Sequence, residues 1–268
     1  VIADSGGGAE YSTRLTTLQL RYPRFIHSEF LTHRVFSRNS SSSRAIPVER
    51  LIADIWDDPV EPSYWGKNQK GMQASEEMEE YRIDWAKQEW YHARQAATSA
   101  AEALRNLGAH KQIVNRLLEP FAHINTVVTS TKWDNFFELR DHEDAQPEIR
   151  LLAQAMKAAM DASTPRLLDP SEWHLPYVEP FTLNRDQGLK ASVARCARVS
   201  YLTHEGAIPS LESDLKLYED LITARPAHAS PAEHQALPDR WTQRDGWEHP
   251  YYHGNFEGWN QNRKLLGL

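Results

Sequence analysis

The chain has 268 residues, 40% of them hydrophobic, and carries 30 Lys and Arg against 37 Asp and Glu for a net charge of −7. That acidity excludes a protein that coats nucleic acid through a basic face, while nine Trp, ten Tyr and eight Phe provide for the core of one large domain or two small ones. A single cysteine, Cys196, rules out an internal disulfide; the lack of an apolar run of about 18 residues and a polar, Gly-rich start at residues 1–9 predict a cytoplasmic protein with no membrane span and no signal peptide.

Residues 14–22 alternate, with Leu15, Leu18 and Leu20 among polar neighbours, and predict a strand. Residues 25–34 predict a short helix carrying Phe25, Ile26, Phe30 and Leu31 on one face, followed by an Arg/Ser loop. Residues 46–67, with Pro47, Pro59 and Pro62, read as irregular. A long helix is expected over 73–107 with Gly108 as its C-terminal cap, and a second over 110–118, ending before Pro120. Residues 131–140 read as a short helix or turn. Over 147–160, Ile149, Leu152, Met156 and Met160 recur at helical spacing behind Pro147. The Pro-rich stretch 164–180 is the candidate boundary. Two further helices are expected over 189–200, with Cys196 on the apolar side, and around Leu211, Leu215, Tyr218 and Ile222. The last thirty residues are aromatic and aperiodic. Helices joined to a few strands point to an α+β fold.

Chemistry concentrates in residues 32–44, which hold His33, Arg34, Arg38, Arg44, Asn39 and five serines without an acid. From Arg14 to Arg50 there are seven Arg, no Lys and two acids, Glu29 and Glu49. Guanidinium groups favour planar, bidentate recognition of phosphate or carboxylate; a solvated Ser-rich loop is the bland alternative. The segment His228-Ala-Ser-Pro-Ala-Glu-His234 reads first as a helix cap, with Ser230 at the N-cap, Pro231 at the first helical position and Glu233 closing a capping box. A helix start also attracts phosphate. A zinc site on His228 and His234 lacks the accompanying Cys or HExxH pattern, so no metal is expected. A serine hydrolase lacks its Gly-x-Ser-x-Gly elbow.

Taken together, these patches resemble the flavin-dependent thymidylate synthases. The family hallmark is matched by Thr32-His33-Arg34 followed by Ser37, Asn39, Ser42 and Arg44. The stretch from Gly108 through Arg116 to Pro120 is similar to the segment with a substrate-binding Arg. Asn135-Phe136, Leu139-Arg140, Ala145-Gln146 and Glu148-Ile149 follow the later family pattern. Ala197-Arg198-Val199-Ser200-Tyr201 and residues 228–234 resemble motifs that normally precede the hallmark, so the order is rotated. The resemblance therefore implies a circularly permuted α+β fold with an antiparallel sheet and several helices, in a single domain over 1–268. Residues 1–163 would be the family's C-terminal part, 164–188 a connection and 189–268 its N-terminal part. Permutation is tolerable where the original termini lie close together at the surface.

The resemblance implies reductive methylation of a deoxypyrimidine monophosphate at C5. Methylenetetrahydrofolate would supply the carbon and NADPH would reduce FAD, in a homotetramer. It assigns cofactor contacts to His33, Arg34, Ser37, Asn39, Asn135, His228 and Ser230. Nucleotide contacts fall to Glu29, Ser42, Arg44, Arg116 and Arg140, with Arg140 as the catalytic group that polarises the pyrimidine. Departures stand at Thr32, Ser40, Ala45 and Glu29, where the family has Arg, Glu, Tyr and Gln. A Glu only accepts hydrogen bonds whereas a Gln also donates, which raises dCMP beside dUMP as substrate. The same departures leave room for hydroxymethylation, or for a catalytically silent nucleotide-binding assembly protein.

Overall fold

The computed structural model describes residues 1–7, 13–199 and 208–268. Five strands form its central sheet: β1 (Ala3–Gly7), β2 (Arg14–Pro23), β3 (Ser37–Ser40), β4 (His123–Ser130) and β5 (Arg166–Leu168), in the order β3-β4-β2-β1-β5. Neighbours are antiparallel except β1 and β5. Pairing of Thr17 with Thr129 and Leu18 with Val128 fixes the register of the central pair. Side chains alternate across a strand, so this register sends Leu18, Leu20, Tyr22, Ile124 and Val128 to one face and Thr17, Val127 and Thr129 to the other.

On the first face lie α1 (His27–Phe30), α5 (Asp134–Arg140) and α6 (Pro147–Asp161), whose Phe30, Phe136, Ile149, Leu152 and Met156 join the main core. Each such burial contributes roughly 1.5–3 kcal/mol. Helix α6 starts where the sequence predicts: Pro147 occupies its first turn and the Gln146 side chain accepts from the Ile149 amide at 3.0 Å. On the second face lies α7 (Arg185–Ala197), with buried Cys196 against Val127 and Tyr177. Its neighbour α8 (Leu211–Thr223) sends Asp214, fully buried, between Arg195 and Arg198. Arg198, in the segment expected to resemble a family motif, is therefore held by an ion pair; Ser200 and Tyr201 of that segment lie outside the described residues.

Helices α2 (Val48–Asp57), α3 (Glu80–Asn106) and α4 (Lys111–Val114) build a separate cluster around Val48, Leu51, Ile55, Ala101, Val114 and Leu118. Gly108 follows α3 at φ +85°, a left-handed position that suits glycine. The aromatic C-terminal segment forms β6 (Ala236–Pro238), β7 (Trp241–Thr242), β8 (Gly246–Trp247), β9 (Trp259–Gln261) and α9 (Asn262–Leu265). Strand β9 pairs with β6, and Ala236, Phe256 and Trp259 pack on Leu15 and Leu168.

Several expectations change. The Arg/Ser stretch is not all loop: Ser37–Ser40 is an edge strand, because β4 supplies ladder partners and Thr126 takes up the Ser40 hydroxyl at 2.8 Å. The helix expected over 25–34 shrinks to a 3-10 turn, Arg24–Ile26, and the single turn of α1. Residues 46–67 contain a helix, α2, which starts behind Pro47. The long helix begins at Glu80, not at residue 73. Strand β4, the partner of both β2 and β3, has no counterpart in the sequence reading, and the boundary stretch 164–180 contains β5. The capping box at 230–233 is replaced by a 3-10 turn, Ser230–Glu233. Its N-cap is Ala229, with no side-chain cap bond, while Glu233 pairs with Arg263. Among the described residues no helix is long and apolar enough to cross a membrane.

Candidate functional site

Strand β3 organises three groups of side chains. The first gathers at its start. Helix α5 is seated by Phe136, whose ring meets His33 edge-on at 4.9 Å and Phe30 at 5.9 Å. This seating brings Arg140, the last residue of α5, to the hallmark segment. Arg140 Nε donates to His33 Nε2 at 2.9 Å and Nη2 to Thr32 Oγ1 at 3.3 Å, while Nη1 lies 3.6 Å from Glu29 Oε2. Burial, then the charges of Arg140 and Arg38, lowers the His33 pKa to about 4. His33 is therefore neutral near pH 7 and accepts through Nε2. Arg38 Nη1 donates to the His33 carbonyl at 2.6 Å, fixing the turn into the strand.

The second group lies past the other end of β3, whose four residues span roughly 13 Å. Glu119 Oε1 accepts from Ser43 Oγ at 2.6 Å and Arg116 Nη1 at 2.8 Å, and sits 3.2 Å from Arg24 Nη2. Asn115 Nδ2 donates to the carbonyls of Ser43 and Ile46, and Lys111 Nζ to that of Ala45, so the turn carrying Ser42 and Arg44 is pinned from beneath. Ser42 and Arg44 themselves are exposed. Among the described residues no carboxylate lies within ion-pair distance of Arg44, Arg34 or Arg38.

The third group joins the middle of β3 to the 3-10 turn 230–233. The Asn39 amide meets Ser230 Oγ at 3.2 Å and His234 Nε2 at 3.0 Å. His234 is fully buried, and its Nδ1 bonds Thr129 Oγ1 at 2.7 Å, so both ring nitrogens are engaged within the fold.

The expected site residues thus fall into connected and unconnected sets. Glu29, His33 and Arg140 converge; Ser42, Arg44 and Arg116 share the far end; Asn39 and Ser230 touch. Ser37 is fully buried, its hydroxyl shared with Asn255 and Gln261. Asn135, Arg34 and His228 are exposed with no side-chain bond to the three groups. Sequence reading missed Glu119, which gathers Arg24, Arg116 and Ser43. It also missed Asn255 and Gln261, which brace the hallmark strand from the aromatic tail. Nothing local marks these residues, because their partners are distant in sequence. His234 was visible as the last residue of the 228–234 segment and as half of a disfavoured metal pair, not for its bond to Thr129.

A search of curated proteins finds no match. Two solved structures of the UMP/dUMP methylase PolB from Streptomyces cacaoi, bound with 5-Br dUMP and 5-Br UMP, are similar. They are 17% and 18% identical, with TM-scores of 0.45 and 0.44, over 55% of this chain and 66% and 68% of theirs. The chain thus spans about two thirds of their length. The family model for thymidylate synthase complementing protein matches residues 13–166. That span is more than half of the 268 residues and holds β2, the hallmark strand, β4 and the Arg140 helix. The chain belongs to the thymidylate synthase complementing protein family, the flavin-dependent thymidylate synthases.

Proposed function

We propose that this chain catalyses flavin-dependent reductive methylation of a deoxypyrimidine monophosphate at C5, most simply dUMP to dTMP, with methylenetetrahydrofolate as carbon donor and NADPH as reductant. The observation that carries this reading is the approach of Arg140 to His33 across 107 positions of sequence, inside a family-matched segment. A fixed guanidinium beside a neutral imidazole can stabilise negative charge developing on a pyrimidine ring.

The donor set fits a dinucleotide cofactor and a nucleotide together. Arg34 and Arg44 are exposed guanidinium groups without acid partners among the described residues, suited to phosphate. Asn135, Ser230 and His228 offer polar contacts, and His33 and Asn39 orient the strand between them. When bound, FAD supplies the redox chemistry, which no side chain here can supply. Arg116, already paired with Glu119, would hold the nucleotide phosphate beside Arg44. Ser37 acts beneath the surface, keeping the strand in place through Asn255. The contact between the Ser230 turn and β3 supports the permuted arrangement, in which 189–268 stands for the family's N-terminal part and 164–188 connects it. Subunits of a homotetramer would complete the cofactor site.

One observation favours a second substrate. Glu29 lies 3.6 Å from Arg140 Nη1, which puts an acceptor next to a donor, a pair that matches the amino group and ring nitrogen of cytosine. The same side chain serves the simpler purpose of orienting Arg140.

The test is release of the C5 proton from dUMP and from dCMP, each incubated with purified protein, FAD, NADPH and methylenetetrahydrofolate. Turnover of either supports methylation, and their ratio decides the base. Protein that binds flavin and nucleotide but releases no proton supports the silent reading raised by Thr32, Ser40 and Ala45. Protein that takes up no flavin refutes the proposal.

A further inference from the structure

A line of side-chain hydrogen bonds crosses the second face of the sheet and ends at the candidate site. Ser5 Oγ lies 2.8 Å from His174 Nδ1, and His174 Nε2 lies 2.7 Å from Thr17 Oγ1. Thr17 Oγ1 meets Thr129 Oγ1 at 2.8 Å, and Thr129 Oγ1 meets His234 Nδ1 at 2.7 Å. His234 Nε2 then reaches the Asn39 amide at 3.0 Å, and that amide reaches Ser230 Oγ at 3.2 Å. Thr17, Thr129 and His234 have no exposed surface, and His174 only 1%.

Burial lowers the pKa of both imidazoles to about 3, so both are neutral near pH 7. A neutral imidazole has one donor and one acceptor, and a hydroxyl has one proton. The line can therefore run in only two directions without a gap. If the two histidines took opposite tautomers, the contact between the threonines would lack a proton or one hydroxyl proton would lack an acceptor.

The Asn39 end decides the direction. With Nδ2 toward His234, that nitrogen donates to His234 Nε2 at 3.0 Å and faces the carbonyls of Ser230 at 3.1 Å and Arg38 at 3.2 Å. Turned the other way, Oδ1 would press against those two carbonyl oxygens. The network thus fixes the amide. His234 accepts at Nε2 and donates through Nδ1–H to Thr129, Thr129 donates to Thr17, Thr17 donates to His174 Nε2, and His174 Nδ1–H donates to Ser5. At the site, Ser230 spends its own proton on Asn39 Oδ1.

We propose that His174, Thr17, Thr129 and His234 are positioning residues that lock the Asn39 amide and make Ser230 a hydrogen-bond acceptor toward the ligand. The ligand group at Ser230 is then a donor, a ring N–H or a sugar hydroxyl, and not a phosphate oxygen. This deepens the proposed function and rests on Ser230 contacting a ligand.

The experiment is long-range 1H–15N correlation on the ligand-free full chain labelled at histidine. His174 and His234 are both expected as Nδ1–H tautomers at pH 7; an Nε2–H tautomer at either overturns the proposal. Inorganic phosphate, titrated against 15N-labelled protein, is expected to leave the Ser230 amide resonance in place, and a saturable shift there overturns the ligand assignment. Thr17→Val, which cuts the line far from Ser230, is expected to weaken FAD binding about tenfold, with Thr17→Ser restoring it. Unchanged affinity in Thr17→Val overturns the positioning role. If wild type binds no FAD, the functional reading fails, and the tautomers and phosphate titration still decide this one.

Discussion

Arg140 connects a helix end to three neighbours of different chemistry: an imidazole, a hydroxyl and a carboxylate. Its side chain is 21% exposed and no fold core depends on it. Arg140→Ala is therefore expected to lower C5 methylation at least about 100-fold while shifting unfolding by no more than about 1 kcal/mol, checked by proton-release kinetics and thermal melts on one preparation. Glu29→Gln gives position 29 a donor where the carboxylate only accepts. The ratio of kcat/KM for dUMP over dCMP is expected to rise about tenfold, and an unchanged ratio confines Glu29 to orienting Arg140. At this scale the sequence was informative. His33, Asn39, Arg140 and Ser230 stood out by residue type and by their resemblance to a family pattern. The partners that fix them did not, because Glu119 and Asn255 are ordinary polar residues whose roles exist only once distant strands meet.

Elements were legible where one periodicity ruled. Helix α6 carries an unbroken apolar stripe behind a proline and forms as expected. Strand β2 alternates and pairs as expected. Strand β4 went unread although its Ile, Thr and Val residues favour strands; it is covered on both faces, so it shows no alternation. Strand β3 was hidden for the opposite reason, since a run of serine signals a loop until a neighbouring Thr takes up its hydroxyl. Helices α7 and α8 are locked by Asp214, which is fully buried between Arg195 and Arg198. Removing the carboxylate breaks both ion pairs at once, so Asp214→Ala is expected to cost about 3–5 kcal/mol, measured by urea unfolding. A loss below about 1 kcal/mol would show that water reaches the two guanidinium groups.

At the scale of the whole molecule, the buried imidazoles of His33, His174 and His234 contribute to the acid limit of stability. Burial lowers all three from an ordinary 6.5: His33 to about 4, where the charges of Arg140 and Arg38 add to it, and His174 and His234 to about 3. As pH falls below 6.5 the unfolded chain binds protons that the native state refuses, so native stability falls. The contribution is complete above that pH and is lost between pH 6.5 and about 3; each tenfold weakening of proton affinity on folding corresponds to about 1.4 kcal/mol. Urea midpoints from pH 8 to pH 4 are expected to hold steady at first and then drop; a flat profile below pH 6 would mean that the three rings take up protons in place.

The bonds from Asn255 to Val35 and Ser37 join residues about 220 positions apart. On the ribosome, the hallmark strand emerges long before the side chains that brace it. Its final contacts form only after about 220 further residues have been translated, so a shorter nascent chain cannot hold a finished pocket. Such distant pairings also slow folding, which makes maturation of the site wait on contacts that no local segment can supply.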